Sequence, residues 1–320
     1  MSIGGAERMK GSGSMAESEA TADQSAPRER TIIEKCLRRV KDPSILWLDC
    51  RWTMTHVRDA YLAWYLAYHE RRQSPGRVFR IPRRRCKMWL PISWGETVVQ
   101  RRFGLFEPWT FEILERVVKP GMVAIELGAC YGEFTIHLSH LVGREGRVHA
   151  FEPFPPYFSI AQRNVQLNRL HNVELLNQAA GPASLKEVVF NPEAIHPYAS
   201  LDQISQMDYA SAGKVLELSP AKAVRIACVS LRQWLERQHI TMDLLFMDIE
   251  GCEIEVLKDI EPLVRGQGKQ PIVLLEHHHA FYRPGDYQWL ESLFRESGYT
   301  VTRIVGHVLC LPGPTRTDKV

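Results

Sequence analysis

From Phe111 onward the chain switches repeatedly between short apolar runs and longer segments with helical spacing. A parallel sheet covered by helices on both faces demands that alternation, because its strands are buried on two sides and each return crossing is a helix. The strand candidates are Val123-Ala124-Ile125-Glu126-Leu127, Val148-His149-Ala150-Phe151-Glu152, Val173-Glu174-Leu175-Leu176, Leu244-Leu245-Phe246-Met247-Asp248 and Ile272-Val273-Leu274-Leu275-Glu276. Two last runs, 301–305 and 307–311, flank Gly306 and fit a closing antiparallel pair. The expected fold is therefore α/β, a Rossmann-like, seven-stranded, doubly wound sheet. Between its third and fourth strands lies a long stretch, 181–240, with strand-like pieces at 187–190 and 223–227. A connection that long is expected to shape an acceptor site.

Upstream, residues 1–30 carry almost nothing large and apolar and read as a disordered tail. Residues 31–110 read as an extension of the main domain, which is assigned to 111–315. Helical spacing runs over 31–72, with an aromatic run at 61–65, and short alternating pieces at 77–81 and 86–90 read as a small antiparallel layer. Arg71, Arg72, Arg77, Arg80, Arg83, Arg84, Arg85 and Lys87 fall in 71–87 without one acidic residue. This block fits either a solvated hairpin edge or contact with a phosphate-bearing or anionic acceptor or an anionic membrane surface. Net charge is only +3, so a nucleic-acid partner for the whole chain is not implied. Seven scattered cysteines form no CxxC pair, and no apolar stretch is long enough to span a bilayer. The expectation is a cytoplasmic protein with reduced thiols.

The chemistry gathers where the first strand ends. Glu126-Leu127-Gly128-Ala129-Cys130-Tyr131-Gly132-Glu133-Phe134-Thr135 takes a buried strand through a tight turn into a helix, which brings a carboxylate and backbone N–H groups to the carboxyl edge of the sheet. A dinucleotide site needs Gly-x-Gly-x-x-Gly to admit a pyrophosphate, and Cys130 stands where the second glycine belongs. A nicotinamide cofactor is thereby disfavoured. Glu152, twenty residues past Gly132, can accept two ribose hydroxyls. Glu126 and Glu152 together suit a cationic adenosyl cofactor.

These segments, with Phe151-Glu152-Pro153, Ser230-Leu231-Arg232-Gln233-Trp234-Leu235 and Met247-Asp248-Ile249-Glu250-Gly251-Cys252-Glu253-Ile254-Glu255-Val256-Leu257, resemble the FkbM-type family of class I S-adenosylmethionine-dependent methyltransferases over roughly 111–311. The family usually has Asp at the place of Glu126 and Asn at that of Cys130. The resemblance implies methyl transfer from S-adenosyl-L-methionine to a hydroxyl of a sugar or natural-product-like small molecule. The cofactor would be bound by Glu126, Gly128, Ala129, Cys130, Tyr131, Gly132, Glu152, Pro153 and Asp248. Gln178, Ala179 and Ala180 would lie near the adenine, with Asn177 or Gln178 in place of the acid that often reads its amino group.

Transfer from a sulfonium needs the acceptor oxygen aligned and its proton removed or shared. Asp248 and Glu250, two apart in an extended segment, share a face and are catalytic candidates. With Glu276 they could hold Mg²⁺, which would acidify the acceptor hydroxyl. Glu253 is expected equally as a charge at the following helix N-terminus. In Glu276-His277-His278-His279, alternation lets Glu276 and His278, or His277 and His279, face one site together. His277 and His278 are candidate bases. Pro155-Pro156-Tyr157 and Cys252 are read as decoys. The rival functions are a nucleic-acid methyltransferase tracking phosphates with the arginine block, and a non-catalytic cofactor-binding scaffold. A homodimer is an open expectation.

Overall fold

The computed structural model describes residues 76–81, 84–91, 100–101, 106–190, 224–249, 251–278, 282–304 and 306–313. All belong to one of the two compact units into which the chain divides, Tyr65–Val320. The helices expected over 31–72, the aromatic run, Arg71, Arg72, Arg83, Glu250 and His279 lie outside the described residues.

The main sheet comprises β3 (Val123–Leu127), β4 (Arg147–Phe151), β5 (Val173–Leu176), β9 (Leu244–Met247), β10 (Ile272–Glu276), β11 (Tyr299–Ile304) and β12 (His307–Pro312), each within two residues of the run read from sequence. Their order is β11-β12-β10-β9-β3-β4-β5. All run parallel except β12, which pairs antiparallel with both neighbours. Alternating residues feed two cores. Ile125, Leu127, Leu245, Met247, Val273 and Leu275 pack on one face against α4 (Leu231–Gln238), α5 (Glu253–Asp259), α6 (Glu261–Val264) and α7 (Asp286–Glu296). Ala124, Val148, Ala150, Leu244, Phe246 and Leu274 pack on the other against α1 (Pro108–Val117) and α2 (Glu133–Val142). The chain winds outward from β3 in both directions, so the carboxyl ends of β3 and β9 meet at the point where strand order reverses. Such a switch point is where open α/β sheets bind ligands.

The strand-like pieces of the 181–240 stretch also form strands. β6 (Ala179–Gly181), β7 (Glu187–Phe190) and β8 (Val224–Ser230) make a second sheet in the order β6-β8-β7, parallel between β6 and β8 and antiparallel between β7 and β8. Ser230 then caps α4, its Oγ accepting from the Gln233 N–H at 3.1 Å.

Ahead of the main sheet, β1 (Gly76–Ile81) and β2 (Cys86–Pro91) form the expected antiparallel pair, with Phe79, Ile81, Cys86, Met88 and Leu90 turned inward. The outer edge of β2 is closed by side chains of α3 (Pro155–Leu167) and its C-cap. Asn164 accepts from Trp89 N–H at 2.6 Å and donates to its carbonyl at 3.2 Å. Asn168 does the same for Lys87, at 2.9 and 2.6 Å. Four helix residues rise about 6 Å and two strand residues about 6.8 Å, so two asparagines four apart can stand in for a missing strand. Arg77, Arg80, Arg85 and Lys87 are exposed, as a solvated hairpin requires. Arg84 departs from that pattern: it is buried, with its guanidinium 3.3 Å from the Phe111 ring centroid.

Candidate functional site

The loop after β3 is shaped by close contact with β9. Gly128 sits at φ +90°, and a Cβ there would stand 1.9 Å from the Asp248 carbonyl oxygen. Gly132, at φ +82°, starts α2 with Ala161 3.3 Å from where its Cβ would be. Between them Cys130 takes φ +50°, a left-handed conformation that Asn adopts more readily, in keeping with the residue the family usually carries here. Burial pushes the Cys130 thiol well above its ordinary pKa, so it is no nucleophile.

Most N–H groups of this loop are already engaged. Those of Gly128 and Ala129 donate to the Phe151 carbonyl at 2.9 and 3.0 Å, and that of Gly132 to Ala129 at 2.7 Å. The Cys130 N–H donates to Glu152 Oε2 at 2.7 Å. Glu152, buried just past β4, also accepts from Phe154 N–H through Oε1 at 2.8 Å. Burial raises its pKa to about 8 against the pull of these two N–H groups. Each of its oxygens retains a second lone pair. Asn177 donates to the carbonyls of Glu152 and Pro153 at 2.8 and 2.9 Å, fixing that turn. Tyr131 is buried with its ring edge-on to Tyr157, at 5.1 Å between centroids. Ala179 and Ala180 lie in β6, opposite Cys228 and Val229, and the half-buried Gln178 precedes them.

Glu126 is wholly buried, and neither of its oxygens completes a hydrogen bond. Burial raises its pKa to about 8; the Thr135 hydroxyl and N–H draw it down without bonding geometry, and Glu152 pushes it further up. The folded chain thus retains a proton that the unfolded chain releases near 4.5. The stability tied to that proton is complete below 4.5 and is lost as pH rises toward 8. At about 1.4 kcal/mol per pKa unit, the retained proton is worth roughly 4–5 kcal/mol. Glu126→Gln should therefore raise the melting temperature of the ligand-free protein at pH 8.5 by about 10 °C and change it little at pH 5. Calorimetric scans at both values check this; a variant no more stable at pH 8.5 would refute it.

At the neighbouring strand ends a second group assembles. Asp248, Glu276 and His278 bring their ligand atoms within 4.8 Å of one another. His278 Nδ1 lies 3.0 Å from Oε1 of Glu253, which is completely buried at the first position of α5. The same oxygen accepts from the Ile249 and Gly251 N–H groups at 3.3 Å, and Tyr282 donates to Oε2 at 3.3 Å. Glu253 is thus both the helix-start acid expected from sequence and the holder of His278. A carboxylate partner places the imidazole hydrogen on Nδ1 and directs the Nε2 lone pair to the other side. There Nε2 faces Asp248 Oδ1 at 3.7 Å and Glu276 Oε2 at 3.8 Å. His277 lies elsewhere, its ring between Tyr287 at 4.5 Å and Tyr282 at 5.2 Å.

Several neighbours carried no sequence signal. Glu276 also meets Glu107 and His307, its register partner on β12. Thr110 donates to Glu107 Oε2 at 3.0 Å and lies 3.0 Å from His307 Nε2. Burial, with Glu276 beside it, raises the Glu107 pKa to about 7. Arg101 is buried against the loop, with Nε 2.8 Å from Glu133 Oε2.

A seven-stranded sheet whose last strand inserts antiparallel between the fifth and sixth, with a glycine-hinged loop after the first strand and an acid after the second, defines a Rossmann-like class I S-adenosylmethionine-dependent methyltransferase. A family model described as Methyltransferase FkbM domain matches residues 126–301, and the chain belongs to that family. It is accordingly an enzyme that uses S-adenosylmethionine and acts on small molecules. Among solved structures it is similar to the methyltransferase FkbM from Methylobacillus flagellatus KT, at 14% identity over 69% of this chain and 54% of that one, TM-score 0.39. It is also similar to a SAM-dependent methyltransferase from Aquifex aeolicus, at 17% identity over 65% and 91% of the two chains, TM-score 0.35. A third is fibrillarin from Aeropyrum pernix, at 12% identity over 63% and 73%, TM-score 0.36. No curated protein matches the chain. No helix among the described residues is long and apolar enough to cross a membrane.

Proposed function

We propose that the enzyme methylates a hydroxyl oxygen of a sugar or natural-product-like molecule, with 111–315 as the catalytic domain. The observation that carries this reading is His278, fixed through Nδ1 by the buried Glu253 and presenting Nε2 to Asp248 and Glu276 at the carboxyl edge of the sheet. A hydroxyl must surrender a proton on methylation, and an oriented imidazole beside two carboxylates accepts one.

The residues of the loop fit the cofactor. Glu126 is a buried carboxyl group with no hydrogen bond, Glu152 keeps acceptor capacity for ribose hydroxyls, and Gly128 lets the backbone pass close to β9. When bound, S-adenosylmethionine supplies an electrophilic methyl group whose C–S bond breaks with its electron pair remaining on sulfur. Glu126 would compensate the positive charge of the cofactor, and Glu152 would hold its ribose. Ala179, Ala180 and Gln178 would flank the adenine. As the new O–C bond forms, His278 Nε2 takes the hydroxyl proton, while Asp248 and Glu276 stabilise the resulting imidazolium.

The convergence of Asp248, Glu276 and His278 favours a second reading of the proton step, in which these three hold a divalent ion such as Mg²⁺ that acidifies the hydroxyl. Turnover after exhaustive chelation separates the two, persisting under the first reading and vanishing under the second. The overall reading is tested by calorimetric titration of S-adenosylmethionine into the wild type and Glu152→Ala, followed by an acceptor screen read by S-adenosylhomocysteine release. Affinity should fall at least tenfold in the variant, and polyhydroxylated small molecules should support turnover. Methylation of RNA or DNA that weakens steeply with salt would overturn it in favour of the arginine-block reading.

A further inference from the structure

The cofactor carries three charges at the end remote from its adenine: a sulfonium, an ammonium and a carboxylate. Glu126, buried beside the loop, suits the first two. The carboxylate needs donors of its own, and backbone amides often supply them at such a turn. Here the N–H groups of Gly128, Ala129, Cys130 and Gly132 are engaged within the protein. The carboxylate therefore has to find its donors outside these four groups, and a cationic side chain beside the loop is the strongest of them.

Among the described residues only two cations are buried, Arg84 and Arg101. Arg84 lies over Phe111 with NH1 3.7 Å from Glu115, on the α1 side. Arg101 instead lies against the loop. Its guanidinium carbon is 3.7 Å from the Phe106 ring centroid and 5.1 Å from that of Tyr131, the residue between Cys130 and Gly132. Its field opposes the burial that raises the pKa of both Cys130 and Glu133. The contact with Glu133 is close, yet Nε and Oε2 lack the alignment of a hydrogen bond. Glu133 meets the guanidinium at Nε, whereas a carboxylate gripped end-on uses the two terminal amino groups. Stacking on Phe106 holds the planar group at a fixed angle, which favours bidentate capture.

We propose that Arg101 binds the carboxylate of the cofactor's amino-acid tail, with Glu133 and Phe106 holding the guanidinium in place. The assignment rests on the cofactor reading above. It makes Arg101 a discriminator between adenosyl compounds that carry the amino-acid tail and those that do not.

Two probes isolate the contact in the full-length chain: S-adenosylhomocysteine, which has the tail, and 5′-methylthioadenosine, which lacks it. Calorimetric titration should show Arg101→Met binding S-adenosylhomocysteine about ten- to a hundredfold more weakly, with 5′-methylthioadenosine changed less than threefold. Because removing Arg101 leaves Glu133 buried without its cation, Arg101→Met/Glu133→Gln is measured beside it and should give the same split. Equal weakening of both probes in the double variant would reduce Arg101 to a structural partner of Glu133, and unchanged S-adenosylhomocysteine affinity would also refute the proposal. Wild-type protein that binds neither probe would instead refute the cofactor reading on which it stands.

Discussion

Gly128→Ala should lower the melting temperature by about 10 °C or more and remove measurable cofactor binding. Two penalties coincide at this position. Its φ of +90° lies where an L side chain is strained, and the added Cβ would stand 1.9 Å from the Asp248 carbonyl oxygen. Backbone cannot yield as the tip of a side chain can, so β3 and β9 would have to part at the switch point. A combined penalty of roughly 4 kcal/mol corresponds to that shift in a domain of this size. Gly121 provides the control: its φ is +86° with nothing within 4 Å of the added Cβ, so Gly121→Ala should cost only about 1 kcal/mol. Differential scanning calorimetry of the two variants decides the matter, and equal melting temperatures would remove close approach as the reason for Gly128.

Changing His278 to Ala should lower kcat by about 10²–10⁴-fold while leaving the affinity for S-adenosylhomocysteine within threefold of wild type. The reason is the division of labour between the two strand ends. Most cofactor contacts are assigned to the loop after β3, to the turn at Glu152, to 178–180 and to Arg101, whereas His278 stands beyond β10 and faces Asp248 and Glu276. Glu253→Gln should act in the same direction but less severely, because an amide can still accept from the Ile249 and Gly251 N–H groups. It cannot favour one imidazole tautomer as a carboxylate does. Single-turnover methylation rates alongside binding isotherms separate the contributions. A His278→Ala enzyme with wild-type kcat would move the proton step to another group.

Much of the architecture could be read directly. The alternation of apolar runs at 123–127, 148–152, 173–176, 244–248 and 272–276 specified the parallel strands because strands buried on both faces must be continuously apolar. Gly306 between two short runs marked the antiparallel pair that ends the sheet. The loop was legible for a local reason: a strand end, two glycines and a helix start lie within a few residues of one another. Even Glu276 and His278 on a common side follow from extended-chain alternation.

What sequence could not supply was anything that depends on distant segments meeting. Asn164 and Asn168 look like ordinary helix-surface residues until β2 is laid beside them. Arg84 belongs by spacing to an exposed basic block, yet it turns inward onto Phe111. Glu253 was legible as a helix-start acid, but its grip on His278 joins residues twenty-five apart through the meeting of β9 and β10. Arg101 and Glu107 lie in no motif and acquire meaning only from the buried charges around them. The sequence by itself determined the strands, the glycine hinge and the family, because local spacing and backbone sterics suffice for those. Only the tertiary structure decided which charges are buried together, because burial and pairing depend on contacts across the whole sheet.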